Sequence, residues 1–197
     1  GAVVYERNNL QMVGKGYALN YLFNKILDNH EKDGYDGFIV FDADNLIDRN
    51  FVKEMNKVFD QGYRVITSYR NSKNYDSNWI TAGYSLWFLR EAKFLNQSRM
   101  QLGASCAVSG TGFLVSHDII KANNGWNWFL LTEDIEFSVN CVLNSEKIGY
   151  CANAMIYDEQ PELFSQSWRQ RLRWSKGFYQ VTCKYGMALL KGILRRE

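Results

Sequence analysis

The chain has 197 residues, of which 46% are hydrophobic and 22% are charged, and its formal net charge is +2. This length and apolar content suffice for a substantial core, so we expect a single domain over residues 1–197. The small net charge provides no general attraction to nucleic acid, and a nucleic-acid partner is therefore not expected. The aromatic content of 15% suits sugar stacking and membrane interfaces as well as a core.

Cysteine, histidine and hydropathy patterns exclude further classes of protein. The four cysteines have no Cys-x-x-Cys spacing, which predicts buried, reduced thiols in a cytosolic domain. The two histidines, His30 and His117, are too few for a zinc site. We find no signal peptide and no apolar run of about 18 residues, so the chain itself is expected to be soluble.

The first third of the chain alternates between strand and helix patterns. Strands are predicted at residues 2–6, 38–41 and 64–69, and helices at 17–30 and 48–62. This alternation predicts parallel pairing through right-handed crossovers. The later predictions, in chain order, are a long helix at 79–101, a strand-like segment at 105–116 with its core at 113–115, helices at 117–122 and 132–143, short strands at 147–150 and 154–157, and a helix at 163–197.

The apolar run at residues 38–41 ends in two aspartates, Asp42 and Asp44, with one residue between them. Such a run is typical of a buried parallel strand, and open α/β sheets bind ligands at the carboxyl ends of their strands. Alternate strand residues point to one side, so both carboxylates can reach one Mg²⁺ or Mn²⁺ and, through it, a diphosphate. The alternative is that the two aspartates only cap the following turn.

Two glycine-containing stretches are weaker signals. Lys15 lies between two glycines before a predicted helix, where a cation can reach a phosphate near the helix N-terminus. The Walker A spacing is missing, and the alternative is a solvent-exposed lysine in a loop. In residues 109–112, which read Ser-Gly-Thr-Gly, Gly110 and Thr111 belong to a segment whose glycines let the backbone approach a ligand closely.

A third stretch places acidic residues at a predicted helix start. Thr132 is a predicted N-cap, and Glu133 and Asp134 follow it. Acidic residues in a first turn offset the helix dipole, which is one interpretation. The other is a general base placed where an acceptor hydroxyl arrives.

The fourth stretch lies on the predicted C-terminal helix. Gln170, Arg173 and Trp174 are three or four residues apart and therefore share one face. An amide, a guanidinium and an indole on one face can bind a diphosphate and stack on a sugar ring. The alternative is an ordinary amphipathic helix with basic residues.

Taken in chain order, these motifs resemble those of the family 2 glycosyltransferases with a GT-A fold. The likeness is greatest to the membrane synthases of cellulose, hyaluronan, chitin and poly-N-acetylglucosamine, and it extends over residues 5–177. It implies an α/β fold with a Rossmann-like, mostly parallel sheet flanked by helices. It also implies inverting, metal-dependent transfer of a sugar from a UDP-sugar donor to a growing polysaccharide or a glycolipid.

The resemblance assigns roles to particular positions. Asp42 and Asp44 match the motif that coordinates Mg²⁺ or Mn²⁺ and the nucleotide diphosphate, and Lys15 matches a residue that helps to hold the nucleotide. Asp134 matches the catalytic base, with Glu133 beside it. The remaining matches are to donor and acceptor contacts: Gly110, Thr111, Gln170, Arg173 and Trp174.

The chain also departs from this family. The first strand and early acidic motif that cradle the nucleotide base, and the transmembrane helices, have no counterpart, so we expect a piece of a longer polypeptide truncated at its N-terminus. We expect the complete protein at the cytoplasmic face of the cell membrane. We expect the isolated chain to bind donor weakly or not at all, and to pair with a second copy through exposed strands.

Two other functions and one surface remain open at this point. A nucleotidyltransferase also uses a metal-binding Asp pair, and a non-catalytic fragment could keep the fold. The C-terminal helix carries an apolar stripe that either packs inward or lies on a membrane surface. The stripe consists of Phe178, Val181, Tyr185, Ala188, Leu189 and Ile193, flanked by Lys184, Lys191, Arg195 and Arg196.

Overall fold

A computed structural model describes residues 1–195 of the chain. Its helices are α1 (Lys15–His30), α2 (Phe51–Phe59), α3 (Trp79–Leu89), α4 (Gln97–Gln101), α5 (His117–Ala122), α6 (Glu133–Leu143) and α7 (Phe164–Arg195). Its strands are β1 (Gly37–Val40), β2 (Leu46–Ile47), β3 (Val65–Ser72), β4 (Phe113–Ser116) and β5 (Ile148–Asp158). Arg196 and the end of the predicted C-terminal helix lie outside the described residues.

Within the described chain, the strands form one sheet in the order β1-β4-β3-β5-β2. The α/β class with flanking helices is confirmed, and β1, β3 and β5 run in one direction. The expected parallel pairing, however, holds only between β3 and β5. It is wrong for β1 and β3, because β4 returns after α3 and α4 and lies antiparallel between them.

Neighbouring residues of a strand pack into separate cores on the two faces of the sheet. Val65 packs with Phe23 of α1 and Phe137 of α6. Ile66, the next residue, packs on the other face with Phe51 of α2. Since helices cover both faces, the end of the sheet where β1, β3 and β5 finish is left to form a site.

The long helix predicted at residues 79–101 is confirmed as one helical stretch whose pitch changes in the middle. A capping box starts α3: the Asn78 side chain accepts hydrogen bonds from Ile80 N and Thr81 N, and the Thr81 hydroxyl accepts one from Asn78 N. A π-helical segment at Arg90–Asn96 then joins α3 to α4. Such segments are often found at functional sites, and this one borders the cleft described below.

The strand predicted at residues 2–6 is wrong. Residues 1–9 form neither helix nor strand, and Val3 and Val4 are exposed. The segment contacts α1 instead, because the hydroxyl of Tyr5 lies 2.9 Å from Nε2 of His30, the last residue of that helix. An apolar, β-branched sequence makes a strand only when another strand completes its backbone hydrogen bonds, and this segment lies outside the sheet.

The two short strands predicted at 147–150 and 154–157 are parts of one strand, β5. Its pairing with β3 shifts register between Ser68 and Tyr69, which oppose Cys151 and Met155 respectively. The residues between Cys151 and Met155 form a bulge, which interrupted the alternating pattern in the sequence. Beyond the bulge β5 continues to Asp158, which becomes important for the site.

The cysteine prediction is confirmed for three positions and wrong for one. Cys106, Cys141 and Cys151 are buried free thiols, whereas Cys183 is free and exposed on α7. Burial raises the pKa of the Cys106 thiol to about 11. This thiol is therefore protonated at neutral pH and a poor nucleophile.

The apolar stripe on α7 is only partly covered. Val181 is buried, whereas Phe178 and Ile193 are 51% and 73% exposed. Tyr185 is half-buried and donates a hydrogen bond of 3.1 Å to the buried carboxylate of Glu136. Inward packing is therefore confirmed for only part of the stripe.

None of the helices in the described chain is both long enough and apolar enough to cross a membrane.

Candidate active site

The two aspartates lie on a turn immediately after β1. The turn is closed by a backbone hydrogen bond of 3.1 Å from Asn45 N to Asp42 O. A second loop holds it in place, because Asp42 N donates to the Thr111 hydroxyl at 2.9 Å. The Thr111 hydroxyl in turn donates to the Asn45 side chain. The carboxylates therefore project from a turn that is fixed by long-range contacts.

Lys15 connects this turn to the Ser-Gly-Thr-Gly loop. It is the first residue of α1, and its ammonium group forms an ion pair with the Asp42 carboxylate. The same group donates a hydrogen bond of 2.6 Å to Gly110 O. Three residues predicted separately from the sequence thus meet at one point.

The predicted base lies on the other side of Gly110. Asp134 is in the first turn of α6, and a Cβ added to Gly110 would lie 3.3 Å from Asp134 Oδ2. Gly110 also has a φ of +71°, a conformation that favours glycine. Thr132 occupies the N-cap position as predicted, but its side chain makes no capping hydrogen bond.

Burial of the two acidic residues of α6 changes their acidity. It raises the pKa of Asp134, an effect opposed by hydrogen bonding to Ile135 N and by the charges of Lys15 and Arg70. Burial and the neighbouring charge of Asp134 raise the pKa of Glu133 to about 7. The pair therefore has the raised basicity of a general-base site when it is ionised.

Helix α7 supplies the third side of the site. Trp174 lies edge-on to Tyr84 of α3, with ring centroids 5.9 Å apart. The oxygen Oε1 of Gln170 is buried and has no hydrogen-bond partner in the described part of the chain. A close approach to α6 positions the helix, because a Cβ added to Gly177 would lie 2.6 Å from Thr132 Oγ1.

These elements enclose one cleft of about 720 Å³. Every predicted site residue except Thr111 lines it: Lys15, Asp42, Asp44, Gly110, Glu133, Asp134, Gln170, Arg173 and Trp174. Thr111 is 1% exposed and lies behind the wall, where it holds the aspartate turn rather than facing the cleft. Residues far apart in the sequence are therefore brought together as the motifs predicted.

Sequence reasoning missed six charged residues that also line the cleft: Arg70, Arg90, Glu91, Arg99, Asp158 and Glu159. Arg70 and Asp158 directly follow the predicted strands at 64–69 and 154–157, and this position was their only signal. They form an ion pair with each other. Burial raises the pKa of Glu91, which lies in the π-helical segment.

The chain belongs to the glycosyltransferase-like family 2, whose model matches residues 2–177. This match confirms the resemblance inferred from the motifs, and the curled sheet flanked by helices agrees with a GT-A fold. Membership of this family favours glycosyl transfer over nucleotidyl transfer. As a class, glycosyltransferases require a nucleotide-sugar donor and a saccharide or related acceptor.

Three curated relatives are similar to parts of this chain. The beta-monoglucosyldiacylglycerol synthase of Synechocystis sp. is 26% identical over 147 residues, which are 74% of this chain and 30% of that protein. The poly-beta-1,6-N-acetyl-D-glucosamine synthase of Staphylococcus aureus is 24% identical over 180 residues, 90% of this chain and 42% of that protein. The probable glycosyltransferase YdaM of Bacillus subtilis is 31% identical over 78 residues, 40% of this chain and 19% of that protein. The chain therefore spans less than half the length of these relatives.

Family 2 enzymes commonly depend on a divalent metal, and the side chains of the cleft must then supply its ligands. Within residues 1–195, no group of three or more acidic, His or Cys residues is arranged to hold a metal. Asp42 and Asp44 remain candidate ligands for Mg²⁺ or Mn²⁺, because Mg²⁺ is often held by one or two carboxylates together with substrate phosphates. Asp44 is exposed at the cleft, and Asp42 shares its carboxylate with Lys15.

Proposed function

We propose that this chain is the catalytic core of an inverting glycosyltransferase that moves a sugar from a UDP-sugar to a polysaccharide or glycolipid acceptor. The family supports glycosyl transfer, and the cleft supports a division into two sides. The donor side, with Lys15, Asp42 and Asp44, binds the nucleotide diphosphate. The base side, with Asp134 and Glu133, receives the acceptor hydroxyl.

Charge and position support diphosphate binding on the donor side. Lys15 Nζ lies between the Asp42 carboxylate and Gly110 O, so a phosphate oxygen entering the cleft finds an ammonium group already oriented by two partners. Arg173 lines the same cleft from α7 and adds a second cation. Asp42 and Asp44 would hold Mg²⁺ or Mn²⁺, which when bound offsets the charge that develops on the leaving diphosphate.

The position of Asp134 supports its assignment as general base. Its carboxylate takes the proton of the acceptor hydroxyl while the hydroxyl oxygen forms a bond to C1 of the donor sugar. The bond from C1 to the diphosphate oxygen breaks, and its electron pair leaves with UDP, so the configuration at C1 inverts. Burial raises the pKa of Asp134, which makes the ionised carboxylate a stronger base.

The α7 side supports sugar binding. Trp174 offers an indole surface to a sugar ring, and the unpaired Gln170 Oε1 can accept a hydrogen bond from a sugar hydroxyl. One relative is named as the synthase of a polysaccharide and another as the synthase of a glycolipid. We therefore assign the acceptor to one of these two classes.

We also propose that the complete protein works at the cytoplasmic face of the cell membrane. The apolar residues left exposed on α7, among them Phe178, Met187 and Ile193, support this location. Flotation of the chain with anionic lipid vesicles tests it. Flotation that disappears when Met187 and Ile193 are replaced by Ser would agree with the proposal, and no flotation of the parent chain would oppose it.

The observation that carries the proposal is the convergence on Gly110. Its carbonyl oxygen accepts a hydrogen bond from the donor-side Lys15, and its Cα faces the base Asp134. A sugar placed over this glycine would therefore contact the diphosphate site and the base at the same time.

The test is an assay of the complete protein in membranes against a panel of UDP-sugars, with Mg²⁺, with Mn²⁺ or with EDTA. We expect transfer from one donor, loss of transfer in EDTA, and a product of inverted configuration by NMR. Full synthesis by the Asp134→Asn variant would disprove the assigned base. Transfer from none of the donors would favour the alternative of a non-catalytic domain.

A further inference from the structure

Asp158, the last residue of β5, is a buried carboxylate that binds three different segments. It is 4% exposed and forms an ion pair with Arg70, whose Nε donates to Oδ2 at 2.9 Å. Gln160 Nε2 donates to the same oxygen at 3.1 Å. The other oxygen, Oδ1, accepts a hydrogen bond of 3.1 Å from Asn45 Nδ2.

Through Asn45, this carboxylate reaches the aspartate turn. The amide oxygen of Asn45 accepts hydrogen bonds from the Thr111 hydroxyl and, at 3.3 Å, from Asp42 N. The amide group is thus oriented by Asp158 at one end and holds the backbone of Asp42 at the other. An isolated turn after an edge strand has no such constraint.

Through Arg70, the same carboxylate reaches the loop beneath the donor sugar. Arg70 Nη1 donates a hydrogen bond of 3.2 Å to Ser109 O, one residue before the Gly110 carbonyl that binds Lys15. The guanidinium group also lies 4.2 Å from the ring centroid of Phe88. Asp158 therefore fixes both loops that meet at Lys15, one by each of its oxygens.

A buried ion pair is costly to desolvate and contributes to stability only when its hydrogen bonds are well satisfied. One role for such a pair is to fix a geometry that an apolar pair could not fix. Here the geometry is the relative placement of residues 42–45 and 109–111. Asn45 itself does not line the cleft, so it can influence a ligand only through the turn it holds.

We propose that Asn45 and Asp158 are positioning residues for the donor, which set the Asp42 and Asp44 carboxylates at the spacing that a metal-bound diphosphate requires. This inference rests on the proposed function, because it assumes that the turn binds the donor. It assigns no contact between substrate and Asn45. The effect on the donor is transmitted by the hydrogen bonds of Asn45 to Thr111, to Asp42 N and, at 3.4 Å, to Asp44 Oδ1.

The chain offers a matched control for Asn45. Asn74 also binds the segment after β5, by donating to Gln160 O at 2.9 Å and accepting from Gln160 N at 2.9 Å. Asn74 does not line the cleft either, and it makes no hydrogen bond to the aspartate turn in the described structure. Asn45→Ala and Asn74→Ala therefore remove comparable hydrogen bonds, but only the first releases the turn.

The kinetic test uses the complete protein with a UDP-sugar and Mn²⁺. Asn45→Ala should raise the donor KM about tenfold, with kcat and acceptor KM changed by no more than about twofold, because only donor binding depends on the turn. Asn74→Ala should leave the donor KM unchanged even if its Tm falls as much. Equal rises in donor KM for the two variants at equal losses of Tm would overturn the inference.

A second pair of variants keeps the test valid if Asn45→Ala fails to fold. Thr111→Val removes the hydroxyl that accepts from Asp42 N while preserving the buried shape, and Thr111→Ser restores the hydroxyl. We expect the donor KM to rise in Thr111→Val and to return toward the parent value in Thr111→Ser. A rise in Thr111→Ser equal to that in Thr111→Val would contradict the inference.

Hydrogen exchange separates this inference from the proposed function. Without any donor, the Asp42 amide should exchange faster in Asn45→Ala and Thr111→Val than in the parent, Thr111→Ser or Asn74→Ala proteins. A parent protein that transfers no sugar but shows this pattern disproves the donor role and leaves the fixing of the turn intact. Unchanged exchange in Asn45→Ala and Thr111→Val disproves the positioning whatever the enzyme transfers.

Discussion

The two sides of the cleft are held in place by different interactions. On the donor side, two loops are joined by hydrogen bonds that involve side chains, from Asp42 N to Thr111 and from the Thr111 hydroxyl to Asn45. On the base side, α6 and α7 share the hydrogen bond from Tyr185 to Glu136, and they also touch directly, because Gly177 of α7 lies against Thr132 at the start of α6. The donor side thus depends on directional hydrogen bonds, and the base side depends in addition on close helix contact.

This difference predicts how each side responds to substitution. Hydrogen bonds are directional, so losing one displaces a turn while the core stays intact. Close helix contact leaves no room for added atoms, so a larger residue shifts a helix and lowers the free energy of unfolding. Donor-side changes should alter donor affinity at nearly constant stability, and base-side changes should alter turnover or stability at nearly constant donor affinity.

The largest effect is expected from Asp134→Asn on the base side. Removing a general base should lower kcat by about 10²–10⁴-fold while the donor KM stays nearly constant. Release of UDP by the complete protein measures both. Asp118→Asn is the control, because Asp118 is also in the first helical turn, of α5, but is exposed. A donor KM that changes as much as kcat would break the division between the two sides.

The next effect concerns Lys15 on the donor side. Lys15→Met would remove the charge-assisted contact to the diphosphate that we propose, and it should raise the donor KM about 10–100-fold, with a smaller change in kcat. Titration with UDP and Mn²⁺ by calorimetry provides an independent measurement. Lys57→Met is the control, since Lys57 pairs with Glu54 at 2.6 Å on α2. Unchanged affinity for UDP in Lys15→Met would remove Lys15 from the donor site.

Gly177→Ala tests the contact between α7 and the start of α6. The added Cβ would lie 2.6 Å from Thr132 Oγ1, so the two helices must separate, at a cost of about 1–3 kcal/mol in free energy of unfolding. Gly186→Ala on the same helix meets nothing closer than Thr182 Cγ2 at 3.8 Å and should stabilise by roughly 0.5–1 kcal/mol. Urea unfolding measures both. Equal changes in the two variants would show that the contact does not hold α7 in place.

The last effect is a pH dependence from Glu133. Its pKa is about 7 in the folded chain against a usual value of 4.5, so the folded state keeps a proton that the unfolded state has lost between these values. Stability therefore falls as the pH rises from about 4.5 to about 7, and Glu133→Gln should lose less stability over this range. Unfolding free energies at pH 5 and pH 7 test this. Parallel pH profiles for the two proteins would show that Glu133 is not held in a desolvated site.

Local patterns predicted the helices and singled out most of the motif residues that line the cleft. The periodicity of residues 117–122 and 132–143 was sufficient because a helix completes its hydrogen bonds within its own sequence. Asp42, Asp134 and Arg173 were found because each lies in a short motif at the end of an element or on one helical face. The family match adds weight to the motifs taken together.

Long-range features were not predictable in the same way. Nothing local in residues 113–116 shows that β4 lies between β1 and β3, and nothing in residues 2–6 shows that no strand adjoins them. The contacts of Arg70, Asp158 and Thr111 could not be predicted for the same reason. Each depends on which strands become neighbours, and this is decided by residues far away in the chain.

The strand order has a consequence for how the protein is made. In the described chain, β1, β2 and β3 pair with β4 or β5 and never with one another. A nascent chain that has emerged only as far as residue 112 therefore holds three strands without a partner. Sheet formation waits for residues 113–158, which makes folding slow and leaves early strands exposed to chaperones and to aggregation. Asp42 is synthesised early, but the turn that carries it is fixed only after Asp158 has been synthesised.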